Sequence, residues 1–256
     1  MTQAMLQLND VTVTVTNGGQ SLNILNHINL SVNPGDFITI LGTNGAGKST
    51  LFNVISGNLT PTAGQILLDG KDITKFSEEK RARYISRVFQ DPKLGTAPRM
   101  TVGENMLLAE KRGQRRTLGL RHLRQKKPQL LKELGLFDNG LADRFDTPTG
   151  DLSGGQRQAL SLMMAISAKP ELLLLDEHTA ALDPKTSNQL MAFTHQIISE
   201  RNLTCLMITH HLDDALKYGN RLIVLNDGAI EGDYDTAAKA ALSKDDMLQF
   251  FDSAIA

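Results

Sequence analysis

The residues Gly42-Thr43-Asn44-Gly45-Ala46-Gly47-Lys48-Ser49 have the spacing of a loop that wraps phosphate oxygens. Glycines so placed let backbone N–H groups converge on an anion, and the positive end of a following helix strengthens the attraction. Lys48 would then reach the β- and γ-phosphates of a nucleotide, and the Ser49 hydroxyl would bind Mg²⁺. Asp176-Glu177 close a run of leucines, Leu172 to Leu175. One acid at such a strand end can hold Mg²⁺ beside Ser49, and the next can take a proton from attacking water. Alone, this pair would be an ordinary strand end; downstream of a phosphate loop it gains weight. Ser153-Gly154-Gly155-Gln156 offers a hydroxyl, N–H groups and a helix dipole to an anion. By itself it reads as an N-cap.

These residues need strands and helices to hold them. Phe37 to Leu41 is a short apolar run between the turn Asn33-Pro34-Gly35-Asp36 and the phosphate loop, and Thr50 to Ser56 reads as the helix after it. Such runs suit buried central strands. Three more follow: Leu172 to Leu175, Cys205 to Ile208 ending at Thr209-His210, and Leu222 to Leu225 ending at Asn226-Asp227-Gly228. Open α/β sheets place ligands at the carboxyl ends of strands. Helical patterns over Gln156 to Ala168 and Lys185 to Glu200 alternate with the strands, as in an α/β protein. Val11 to Thr16 alternates at period two, which predicts a half-buried strand, and Asn17-Gly18-Gly19 predicts a turn into a second strand over Leu22 to Leu30. Residues 93–168 show little strand pattern and read as a helical insertion. In the tail, Ser243 offers an N-cap, with Met247, Phe250 and Phe251 at helical spacing as core or docking contacts.

The 256 residues carry 27 Lys plus Arg against 28 Asp plus Glu, a net charge of −1. That balance argues against a protein that coats nucleic acid by neutralising phosphates. One cysteine, Cys205, excludes a disulfide scaffold and a four-cysteine zinc site. No apolar run approaches the ~20 residues of a membrane span, and Met1 to Asp10 lacks the basic start and apolar block of a signal peptide. A soluble, cytosolic globular chain is expected. Lys111 to Lys127 concentrates Lys and Arg without an acid. It reads as a solvated face, with a patch for anionic lipid or an acidic partner as the sharper alternative.

The order Gly42 to Ser49, Gln90, Leu152-Ser153-Gly154-Gly155-Gln156, Asp176-Glu177, Ala181-Leu182-Asp183 and His210 resembles the nucleotide-binding subunit of ATP-binding-cassette (ABC) transporters, from about Leu6 to Gly232. The resemblance implies a P-loop NTPase (RecA-like) α/β core, an antiparallel β-subdomain and an inserted α-helical subdomain. It divides the single domain 1–256 into core and β-subdomain (1–92 and 169–232), helical subdomain (93–168) and tail (233–256). It implies ATP and Mg²⁺ as cofactors and head-to-tail closure of two subunits around two ATP molecules. Gly42, Asn44, Gly45, Ala46, Gly47, Lys48, Ser49 and Thr50 would hold the nucleotide, Ser153 and Gly155 would serve the partner's γ-phosphate, and Gln156 and Asp183 complete the nucleotide-binding set. Glu177 matches the general base and His210 the switch histidine. Gln90 matches the glutamine that touches Mg²⁺ or the lytic water, so Ser49, Gln90 and Asp176 form the expected metal set. Asp183 matches the loop that crosses the dimer interface. Without the resemblance, Gln90 and His210 are ordinary polar residues at strand ends.

Three positions depart from the family pattern. Val15 stands where an aromatic residue commonly stacks on adenine, so base discrimination is expected to be loose. His178 stands where most members have proline; a histidine can titrate near neutral pH, but a passive substitution is the reading taken. His211 follows the switch histidine where an acid is frequent. The stretches Phe89-Gln90-Asp91-Pro92, Gly95-Thr96-Ala97-Pro98 and Asp176 to Pro184 are most similar to a group of bacterial importer ATPases associated with tryptophan or tyrosine uptake. The resemblance thus implies a peripheral motor on the cytoplasmic face of the membrane. Its partners would be transmembrane permease subunits, a second copy of the chain and, indirectly, an extracellular substrate-binding protein. A soluble ABC ATPase of the iron–sulfur assembly type and an exporter motor are the alternatives. About 100 residues between Gly47 and Ser153 leave no room for a long coiled-coil arm.

Overall fold

The valine–threonine segment lies in β1 (Leu6–Asn17), which turns at Gly18-Gly19 into β2 (Gln20–Val32). The structure, a computed structural model, describes residues 3–114 and 122–248. The chain divides into one unit drawn from Met1–Arg81 and Asn202–Ala256 and another from Ala82–Arg201. In the first, β1 pairs antiparallel with β2, setting Leu6 against Val32, Leu8 against Leu30 and Val13 against Leu25. Strict alternation fails here. Register shifts between Leu8 and Val11 and again between Val11 and Val13 put Val11, Thr12 and Val13 all inside, while Val15 is 51% exposed.

β3 (Phe37–Leu41) is buried at every position and leads through the phosphate loop into α1 (Lys48–Ser56). β4 (Ala63–Leu68) and β5 (Lys71–Asp72) extend the antiparallel sheet to the order β2-β1-β4-β5. The short α2 (Glu78–Arg81) ends in Arg81, fully buried, whose Nη1 donates to the Val54 and Ile55 carbonyls at 2.7 and 2.9 Å. Those groups belong to the last turn of α1, which has no intrahelical partner for its carbonyls, so Arg81 anchors the far end of the helix that starts at the phosphate loop.

The second unit opens with β6 (Ile85–Val88), followed by α3 (Val102–Glu110), α4 (Leu123–Leu134) and α5 (Gly154–Ser167). The stretch expected to be helical holds three of the helices and no named strand among the described residues. Asn105, fully buried, bonds the Ala97 N–H and the carbonyls of Ala97, Met100 and Thr101, fixing the loop ahead of α3. In the basic stretch, Lys126 pairs with Glu110, Lys127 reaches Asp146 at 2.7 Å and Arg112 reaches Ser86. Residues 115–121 of that stretch lie outside the described residues, as do Phe250 and Phe251. β7 (Leu172–Asp176) is buried throughout, pairs parallel with β6 and is followed by α6 (Pro184–Arg201).

The chain then returns to the first unit with β8 (Thr204–Ile208), α7 (Leu212–Lys217), β9 (Arg221–Asn226), β10 (Ala229–Tyr234) and α8 (Thr236–Ala241). β3 pairs parallel with β8 on one side and β9 on the other, and β10 adds antiparallel to β9. Met247 packs with Leu41, Ala215, Leu222 and Val224, so the tail residue expected as a core contact is one. Ser243 does cap it, exchanging bonds with the Asp246 N–H and carboxylate.

Candidate functional site

In the first unit, Gly47 stands at the cap of α1 with φ +96°, a left-handed conformation that favours glycine. A Cβ there would lie 2.7 Å from the Ile24 carbonyl oxygen, so no other residue fits without moving β2. A glycine cap supplies no side-chain acceptor, which leaves the leading N–H groups of α1 uncapped by a side chain and suited to an anion. Lys48 is buried and donates from Nζ to the Gly42 and Thr43 carbonyls at 2.8 and 2.9 Å. The ammonium is thereby drawn back over the loop. Asn44, Gly45 and Ser49 are exposed, Thr50 is half-buried and Ala46 is buried.

His210 lies at the end of β8, where the Thr209 N–H donates to Ile40 of β3 at 3.2 Å. Its ring lies 4.1 Å from that of His211, centroid to centroid, tilted by 42°. Asp214, in the first turn of α7, has its carboxyl pKa raised by burial, with His211 and Lys217 opposing the shift. This acid is three residues beyond the position where an acid was expected.

In the second unit, the register of β6 and β7 sets Val88 against Leu175, so Gln90 and the pair Asp176-Glu177 emerge from the carboxyl ends of neighbouring parallel strands. Asp176 is buried, and its Oδ2 accepts from Arg87 Nη2 at 2.5 Å. Glu177 has φ +43°, a strained conformation for a residue with a side chain, and such strain clusters at working sites. His178 is 2% exposed, with Nε2 3.2 Å from Thr194 Oγ1. That hydroxyl gives its proton to the Leu190 carbonyl at 2.7 Å, so His178 donates from Nε2. Burial lowers its pKa to about 4. Burial thus keeps His178 from titrating near neutral pH.

Ser153 and Gln156 form a reciprocal capping box at the start of α5: Ser153 Oγ accepts from the Gln156 N–H at 3.2 Å, and Gln156 Oε1 accepts from the Ser153 N–H at 3.3 Å. Gln156 Nε2 also donates to the Asn139 carbonyl, and buried Arg157 donates to the carbonyls of Thr149 and Gly150. Asp183 caps α6 through the Thr186 N–H at 3.1 Å, and hydrogen bonding from the Thr186 side chain, followed by that N–H, holds its carboxyl below the usual range. Ser153, Gly155, Gln156 and Asp183 line one cavity of ≈ 390 Å³, so the start of α5 and the cap of α6 share one surface. Gly155 is forced by packing: a Cβ would meet Thr186 Cγ2 at 2.6 Å.

Sequence reasoning missed Arg87 and Gln158. Gln158, fully buried in α5, donates to the Phe89 carbonyl at 3.0 Å and so fixes the backbone beside Gln90. Neither carries a spacing signal, since each acts on a partner many residues away. For a metal, Gln90 and Asp176 of the second unit offer an amide oxygen and a carboxylate, and Ser49 of the first unit carries a hydroxyl. These hard oxygen donors suit Mg²⁺, which is commonly held by one or two carboxylates together with substrate phosphates.

A family model described as ABC transporter matches residues 25–180. The tyrosine transport ATP-binding protein of Clostridioides difficile (strain R20291) is 44% identical over 254 residues, 98% of this chain and 100% of that protein. The phosphonates import ATP-binding protein of Lactococcus lactis subsp. lactis is 33% identical over 229 residues, covering 88% and 91%. Among solved structures, a dimeric ATP-binding cassette in a post-hydrolysis state, bound to ADP and phosphate, superposes with a TM-score of 0.76 at 29% identity, covering 91% of this chain and 99% of that one.

Proposed function

Because this chain belongs to the ABC transporter family as an ATP-hydrolysing subunit of import systems, we propose that it drives uptake of an aromatic amino acid, tyrosine or a close relative. The observation that carries this substrate class is the 44% identity, end to end, with a tyrosine transport ATP-binding protein. The chain has the P-loop NTPase α/β fold with antiparallel and helical parts, and among the described residues no helix is long and apolar enough to cross a membrane. We assign it to the cytoplasmic face, held there by permease subunits, with two copies closing head to tail and an extracellular binding protein delivering the substrate. We assign residues 93–168 to the helical subdomain, 1–92 and 169–232 to the core and β-subdomain, and 233–256 to the tail.

The residue roles are those that membership of the family implies, and the chemistry of each side chain is compatible with them. The uncapped N–H groups of α1 and the Gly42–Gly47 loop bind the phosphates, and Lys48 turns from the Gly42 and Thr43 carbonyls to the β- and γ-phosphates. Ser49, Asp176 and Gln90 are the residues that would hold Mg²⁺. When bound, Mg²⁺ supplies charge that offsets the negative phosphate oxygens. Glu177 accepts the proton of the attacking water, and His210 contacts the γ-phosphate. Ser153, Gly155 and Gln156, with Asp183 beside them, contact the nucleotide held by the other copy.

The test is to purify the tagged chain from gently solubilised membranes of its own organism and identify its companions by mass spectrometry. A multispanning permease and a binding protein that takes tyrosine or tryptophan with micromolar affinity are expected. A binding protein that ignores aromatic amino acids overturns the substrate class, and recovery only with soluble cluster-assembly proteins overturns the transport role.

A further inference from the structure

Arg87 lies on β6, three residues before Gln90, and its guanidinium pairs with the carboxylate proposed above to hold the metal. The Nη2 to Oδ2 separation is 2.5 Å, and the two side chains are only 11% and 13% exposed. The guanidinium carbon also lies 4.9 Å from the centre of the Phe89 ring, a cation–π contact that restrains it further. The parallel register sets Arg87 against Leu174, so the side chain reaches two residues along β7 to the strand's end. Strand pairing, ring and carboxylate together fix this cation in a partly desolvated place.

Resting on the reading of Asp176 as a metal residue, we infer that Arg87 is a resident counter-ion of that carboxylate and a positioning residue that sets how much Mg²⁺ the site requires. Its charged guanidinium holds the Asp176 carboxylate in place through the Nη2 to Oδ2 bond. The same charge opposes a second cation at that carboxylate. Even with water-like screening, a unit charge about 6 Å from a divalent ion weakens its binding about tenfold. The pair therefore raises the Mg²⁺ threshold while it preserves the geometry. Lysine in place of Arg87 keeps the charge, whereas glutamine removes it.

The test reads binding rather than turnover: thermal unfolding of the full chain with saturating ADP, at rising Mg²⁺, giving the Mg²⁺ concentration for half of the stabilisation. Arg87→Gln is expected to lower that midpoint about tenfold, and Arg87→Lys to leave it within twofold of the unsubstituted chain. An unchanged or raised midpoint in Arg87→Gln overturns the counter-ion role. If Arg87→Gln does not fold, a tenfold fall in Arg87→Lys overturns it equally, because charge would not be the cause. Asp176→Asn separates this inference from its premise. It should raise the midpoint at least tenfold, and no change there refutes the metal role of Asp176 itself.

Discussion

Protonation of His178 should make the fold acid-sensitive in a way that one substitution removes. Its imidazole is 2% exposed, and desolvation lowers its pKa to about 4 against about 6.5 for an unfolded chain. Between those values the unfolded state binds the extra proton and the folded state does not, so stability rises with pH across that window and falls as pH drops from 6.5 toward 4. At pH 7.5 the loss is negligible. At pH 5 it reaches about 2 kcal/mol, and below pH 4 it levels off at about 3 kcal/mol. His178→Gln keeps a donor for Thr194 Oγ1 but cannot titrate. Denaturant unfolding of both proteins at pH 7.5 and pH 5 isolates the effect, because the other titrating groups are common to both. The stability difference between the two proteins should shift by about 2 kcal/mol between these pH values, in favour of the variant at pH 5. If the two curves fall in parallel, His178 is not buried as a neutral ring, and the account of this segment fails.

Glu177→Gln should lower kcat by at least about 100-fold, while ATP affinity, measured by equilibrium dialysis, stays close to that of the unsubstituted chain; turnover at the normal rate would exclude Glu177 as the base. Gly155→Ala drives a methyl into Thr186 Cγ2, whose branched side chain has few rotamers to escape to, and should cost about 1–3 kcal/mol. Adding Thr186→Ser should return most of that loss in a double-mutant cycle, and additive losses would contradict the packing. Val15 is exposed on β1; Val15→Tyr should tighten ATP binding about tenfold by stacking on the base, with competition assays against a triphosphate lacking the base showing no gain.

What the sequence determined by itself is the chemistry whose geometry is local. Capping boxes join residues three apart, so Ser153 and Gln156 could be placed at a helix start from their spacing, and the phosphate loop follows from glycine spacing before Lys48 and Ser49. The apolar runs at Phe37, Leu172, Cys205 and Leu222 marked strands because full burial on both faces demands continuous apolar side chains. Where burial is only partial the signal weakens. β4 and β6 were not anticipated, and the Val11–Thr16 alternation was misread past its register shifts, because a bulge depends on what the partner strand does. Tertiary structure alone decided the electrostatics and the close contacts. Arg87 meets Asp176 across 89 positions of chain only through parallel pairing of β6 and β7, and His178 is neutral only because α6 covers it with Thr194. Gly155 and Thr186 touch through the folding of α5 against α6. Periodicity and capping are encoded within a turn or a pleat, whereas desolvation and ion pairing depend on neighbours that the chain brings together only on folding.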